Sequence, residues 1–172
     1  MSEGGLRGLA RGLAHRLLEN GGVLPRRQIE AEMKVLSQAE RRALRSLGVR
    51  IGAFSLYLPG LLTEEARTFA QSLQADAAAP PPGKVSRLQP GPVDTKGLSA
   101  RGLMAVGGLA VPVDQLELLD EALRTAPQKS GGSVVSDQLI ESLGWTGKEA
   151  ADILRGLGLT PVNRDAPIAW RR

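Results

Sequence analysis

The sequence contains no cysteine and only one histidine, His15. Without thiols there is no disulfide framework and no thiolate metal site. One imidazole cannot build a zinc site without several carboxylate partners. Aromatic residues make up only 3% of the chain, so a core must be made of Leu, Ala and Val. No apolar run approaches the ~20 residues of a membrane-spanning helix. The N-terminus lacks the apolar stretch and small-residue cleavage site of a secretory signal. These absences predict a cytoplasmic protein without a membrane segment.

Glycine and proline are plentiful, 21 and 11 of 172 residues, and break the chain into short elements. Formal net charge is +4 and is unevenly spread. From Gly5 to Arg50 there are ten Lys/Arg against four Glu, a net +6, so the rest is slightly acidic. A basic first third points to a polyanionic partner, although an ordinary charged surface has the same composition.

"GLRGLARGLAHRLLENGG" places Leu6, Leu9, Ala10, Leu13, Ala14, Leu17 and Leu18 at helical spacing. Gly8 and Gly12 cost that helix ~1 kcal/mol each relative to Ala, which fits close packing by another element. Ile29, Met33 and Leu36 give a short second helix after Pro25. Ser37 with Glu40 reads as a capping box for a third, with Ala39, Ala43, Leu44 and Leu47 inward. "VRIGAFSLYLP" is extended, and Thr63 starts a fourth helix. Within the extended run, alternation puts Arg50 opposite Val49 and Ile51. From there it can reach a backbone phosphate or a carboxylate such as Glu64.

The Pro/Ala/Gly-rich stretch 77–97 reads as a semi-rigid linker. It divides a helical basic domain, 1–76, from a second domain, 98–172. In the second, Asp114 can cap a helix, "SVVS" is extended, and Ser136 and Thr146 with Glu149 start two more helices. "LTPV" and "PIAW" form a hairpin. Helix, short strand, helix, turn, helix, hairpin is the order of a winged helix. The expected fold is thus mainly α: an N-terminal helical bundle with one extended segment, a Pro-rich linker, and a small winged-helix-like α+β domain.

Catalytic motifs fail. Gly83-Lys84 and Gly147-Lys148 lack the spacing and hydroxyl of a phosphate loop. "DEAL", Asp120 to Leu123, is more simply read as the solvated face of a helix. His15 sits among arginines on a helix and is read as having no acidic neighbour. No enzyme activity and no cofactor are expected. Arg7, Arg11, His15, Arg41, Arg42 and Arg45 converge if the first and third helices pack together, and Arg50 follows directly. Such a face would neutralise phosphates. In the second half Lys148 and Arg155 lie on the recognition-type helix and Arg164 at the hairpin tip, offset there by Glu149 and Asp152. Few aromatics are available for base stacking.

"LARGLAHRLLENGGVLPR", "ALRSLGVRIGAFSLYLPGLL" and "VPVDQLELLDEAL…LIESLGWTGKEAADILRGLGLTPV" occur in that order. They resemble the C-terminal region of the alphaproteobacterial helicase-related proteins. Those are superfamily-two enzymes similar to the mitochondrial RNA helicase that works with an exoribonuclease. The resemblance spans nearly the whole chain apart from the linker. It implies a tail that follows two RecA-like motor domains, with no motor upstream of Leu6. Two departures remove positive charge: Thr63-Glu64 stands where the family continues with Lys-Pro, and "AVPVD" where it often has an Arg. The implied role is a non-catalytic accessory region that binds single-stranded RNA or DNA beside a motor. The alternative is a protein-interaction scaffold docking a helicase motor or an exoribonuclease. Without a phosphate loop, the isolated protein is expected to show no ATP turnover above a buffer control, with or without RNA. Turnover that survives repurification would contradict this.

Overall fold

A computed structural model describes residues 8–61, 80–81 and 83–172. Arg7 and the helix expected from Thr63 to Leu73 lie outside these residues. The first half begins with α1, Gly8–Glu19, whose Ala10, Leu13 and Leu17 are buried. Then come β1, Val23–Pro25; a 3-10 turn, Arg26–Gln28; α2, Glu30–Val35; and α3, Gln38–Ser46. The strands β2, Arg50–Ile51, and β3, Ser55–Tyr57, close the half. The three strands form an antiparallel sheet in the order β1-β3-β2.

The middle of the chain adds a second sheet. Its strands are β4, Ser86–Arg87; β5, Leu103–Val106; and β6, Leu109–Pro112, in the order β4-β6-β5. A short helix, α4, Thr95–Ala100, precedes β5. β4 and the start of α4 fall within the stretch expected to be linker. There Arg87 pairs with Leu109, and Leu88 packs on Leu98, Leu103 and Ala110.

The last part repeats the order of the first. α5, Val113–Thr125, leads to the hairpin β7, Gln128–Lys129, and β8, Gly132–Val134. Next are α6, Asp137–Ser142; α7, Gly147–Gly156; β9, Thr160–Pro161; and β10, Ala169–Arg171. The sheet order is β7-β8-β10-β9. Both halves therefore run helix, strand, helix, helix, strand, strand, the second with an added strand, β7, before β8, and each places its last strand inside its sheet. In each, the third helix starts with a capping box, Ser37 with Glu40 and Thr146 with Glu149.

The expectation of a mainly α chain with an N-terminal helical bundle is therefore corrected. The described residues form three small antiparallel sheets among short helices, a mixed α/β arrangement. The strands are two to four residues long. An apolar run as short as "VLP" has no period by which to be recognised. No helix among the described residues is long and apolar enough to cross a membrane.

The first sheet is covered on both faces. Alternation sends Leu24 and Leu56 into a core with Leu13, Leu17, Ile29, Met33 and Leu44. It sends Val23 and Tyr57 the other way, against Val106, Leu116, Ile153 and Trp170 of the second half. Residues of the first half thus complete the core of the second. A carboxylate on α5 fastens the two halves. Glu117 accepts hydrogen bonds from the backbone amides of Ala53 (2.9 Å) and Phe54 (3.1 Å) and from the Ser55 hydroxyl (3.4 Å), all at the β2–β3 turn. A Cβ on Gly52 would overlap that carboxylate, which would have to shift off the amides to make room. On the same residue, the Gly52 carbonyl accepts from Arg26 Nη1 at 2.8 Å.

Asp120, one turn further along α5, is buried rather than solvated. It pairs with Arg124 and with Arg172, whose guanidinium also lies 5.9 Å from the centre of the Phe54 ring. Replacing Glu117 by Ala leaves two half-buried amides without an acceptor, at about 1–3 kcal/mol. E117A is expected to lower the urea midpoint with little change in slope, and Gly52→Ala to do the same by steric conflict. Wild-type midpoints in both variants would mean that the turn is not held by this contact.

Candidate nucleic-acid interface

Helix α3 carries the densest basic cluster. Leu44 is fully buried and anchors the helix on the first core. Arg42 and Arg45, three residues apart, lie on the exposed side. Neither forms an ion pair among the described residues. Arg11 is likewise exposed and unpaired, on the α1 helix that packs against α3. Arg50 occupies β2 immediately after α3. Val49 is buried, Arg50 exposed and Ile51 half-buried, as alternation requires. The cross-strand neighbour of Arg50 is Tyr57. Burial raises the Tyr57 pKa, Glu117 raises it further, and Arg50 opposes the shift. The carboxylate considered for Arg50, Glu64, lies outside the described residues.

Other candidates are engaged locally. Arg41 is half-buried and donates to two backbone carbonyls, Leu36 O at 3.2 Å and Met33 O within hydrogen-bond range. It thereby closes the α2–α3 turn. His15 is exposed and pairs with Glu19 at 3.3 Å. On α7, Arg155 lies 5.9 Å from the centre of the Trp170 ring and 4.0 Å from Asp152. Lys148 and, at the hairpin tip, Arg164 are exposed and unpaired among the described residues. The opposite end of α7 is covered. A Cβ on Gly156 would collide with the Gly107 backbone at the β5–β6 turn.

The structure adds three cations that periodicity did not single out. Arg26, Arg27 and Lys34 line a cleft of about 590 Å³ together with Arg41. Its floor includes Phe54, Met104, Val106 and Leu157, so both halves contribute. Glu30 is its one acid and pairs with Lys34 at 3.2 Å. In the sequence the only sign was the Arg26-Arg27 pair after Pro25. Its orientation depends on how the second half docks. No cluster of three or more metal-ligating side chains occurs among the described residues.

The helix ends beneath this face are fixed electrostatically. Glu40 accepts from the Ser37 backbone amide (3.0 Å) and hydroxyl (2.9 Å), and the Glu40 amide donates back to that hydroxyl (3.2 Å). These contacts hold the Glu40 carboxyl below the ordinary range, and the Ala10 and Leu9 amides at the start of α1 add to the effect. One carboxylate thus serves the N-termini of both basic helices.

Comparison with protein-family models, curated proteins and solved structures found no match.

Because the folded pKa of Glu40 is depressed, its contribution is present above the ordinary value of 4.5 and lost as pH falls through the lower folded value. Glu40→Gln is expected to remove this part of the acid sensitivity, flattening stability against pH below 4.5 relative to wild type. Parallel stability–pH curves for E40Q and wild type would refute this role.

Proposed function

We propose that the chain is a non-catalytic accessory region that binds single-stranded RNA or DNA through α3 and the adjoining surface of α1. The observation that carries this reading is the set Arg11, Arg42 and Arg45 on two packed helices, exposed and unpaired among the described residues. Arg50 lies on the other face of the first sheet, beside Tyr57. Arginines without internal counter-charges are available to phosphates, and their guanidinium forks suit that geometry. The third helix of a winged-helix order is the element that reads nucleic acid in many such modules. Here Arg42 and Arg45 are exposed beside Gln38 and Ser46. Guanidinium forks on that face suit backbone phosphates, contacts that position a strand without reading its sequence. The resemblance to the C-terminal region of helicase-related proteins puts this surface beside a motor that works on RNA.

The scaffold reading has its own support in the second half. Among the described residues, helix α7 offers Lys148 as its only exposed, unpaired cation, and Glu149 and Asp152 accompany it. The β2–β3 turn, which would be the first half's wing, is occupied by Glu117. The second half therefore organises the first rather than adding a second nucleic-acid face.

Binding of a labelled oligouridylate is expected to be weak and steeply salt-dependent. Each phosphate contact contributes roughly 0.7 to the log–log salt slope on a single strand. Arg42→Gln with Arg45→Gln should lower that slope by about 1.4 with the fold intact, since exposed changes cost within ~0.5 kcal/mol each. Arg41→Gln should instead destabilise by about 1–3 kcal/mol, because its guanidinium holds two carbonyls. An unchanged slope in the folded double variant would leave the scaffold reading as the better one.

A further inference from the structure

We propose that the cavity between the end of α1 and helix α4 is a binding site for the phosphoryl group of a phosphomonoester, built on Arg101 and Ser86. The cavity has a volume of about 940 Å³ and both residues line it. Arg101 follows α4 directly and is 7% exposed. Among the described residues its guanidinium makes one hydrogen bond, from Nη1 to Gly97 O, 3.3 Å long. A guanidinium carries five N–H donors and keeps its charge. Burying it without a counter-charge is costly, and a bound anion removes that cost. The Ser86 hydroxyl is also buried and has no hydrogen-bond partner. A charged fork and an idle hydroxyl in one cavity are the donors that a phosphoryl group uses.

The surrounding charge favours a dianion. Arg87 and Lys96 are exposed on the cavity wall. Among the described residues the wall has two carboxylates, and both are occupied elsewhere. Asp94 caps α4 through the Gly97 amide at 2.9 Å, and Glu19 reaches His15 at 3.3 Å. Neither is within ion-pair distance of Arg101. Leu18 and Val93, 63% and 45% exposed, give the wall an apolar side on which an organic body can rest. A volume of this size holds a nucleotide. The phosphomonoester is then either a free nucleotide or the terminal phosphate of a strand. The site itself does not depend on α3.

The test is calorimetric titration and thermal unfolding of the full chain with inorganic phosphate, uridine monophosphate and uridine. Phosphate and the monophosphate are expected to bind and raise the melting temperature, and uridine is not. Ser86→Ala should weaken the monophosphate about tenfold without changing the melting temperature of the free protein. Arg101→Met should abolish the response while leaving the free protein as stable as wild type or more so. Wild-type affinity in S86A, or a destabilised R101M that still responds to phosphate, would overturn the site. So would equal binding of uridine and its monophosphate, or no binding of either phosphate compound. The two sources separate with 5′-phosphorylated and 5′-hydroxyl oligouridylates. A gain from the 5′-phosphate that R101M loses assigns the strand end. Equal affinity of the two oligonucleotides, with the monophosphate still bound, assigns the free nucleotide. The R42Q/R45Q variant should lose oligonucleotide affinity and keep the monophosphate, so failure of the α3 surface is distinguishable from failure of this one.

Discussion

The carboxylate of Glu117 is the contact on which the arrangement of the two halves rests. It takes the amides of Ala53 and Phe54 at the point where the first sheet turns. Those amides face the second half and have no strand partner there. Without an acceptor they would have to stay hydrated, and the outer face of the sheet could not be covered. Gly52 is the matching concession in the backbone, since any side chain would displace the carboxylate. With the turn seated, Val23 and Tyr57 enter the second core, and Phe54 comes under the guanidinium of Arg172. The cationic cleft between the halves exists only in that docked arrangement, because its floor is drawn from both.

The same element order serves two chemical purposes. The first half uses its turn for docking and keeps its third helix exposed, with Arg42 and Arg45 unpaired among the described residues. The second half does the reverse. Its third helix is held by Gly107 against Gly156 and by Arg155 beside Trp170, while its last hairpin stays exposed around Arg164. Topology alone would not separate these roles. Which surface remains free after the halves pack is what distinguishes them.

Much of the local structure was legible in the sequence. Both capping boxes, the glycine stops and the helices they bound follow from residue type and spacing, because those signals act within one helical turn. Arg50 facing away from Val49 and Ile51 follows from strand alternation. What could not be read depends on distant partners. The first sheet was hidden because β1 is three residues long and its mate β3 lies about thirty residues later. Asp120 looked solvated until Arg172 came to it from the other end of the half. Arg41 looked like its neighbours Arg42 and Arg45, yet its guanidinium ends on the carbonyls that finish α2. Leu47 fitted the apolar stripe of α3 but sits past its last turn and is 55% exposed. The residues that carry the family resemblance have a physical relation that no linear reading gives. Ala53 and Phe54 in one motif bind Glu117 in the next.

The distance along the chain between those motifs bears on synthesis. Ala53 and Glu117 are 64 residues apart. A growing chain emerges from the ribosome at about 5–20 residues per second, so the first half waits several seconds for its fastening residue. During that interval the outer face of β1 and β3, with Val23, Phe54 and Tyr57, has no cover. An uncovered sheet face and unpaired amides are the features that nascent-chain chaperones bind and that promote aggregation. The outer face of this early sheet therefore stays uncovered until the second half has been made as far as Trp170, which with Ile153 completes its cover.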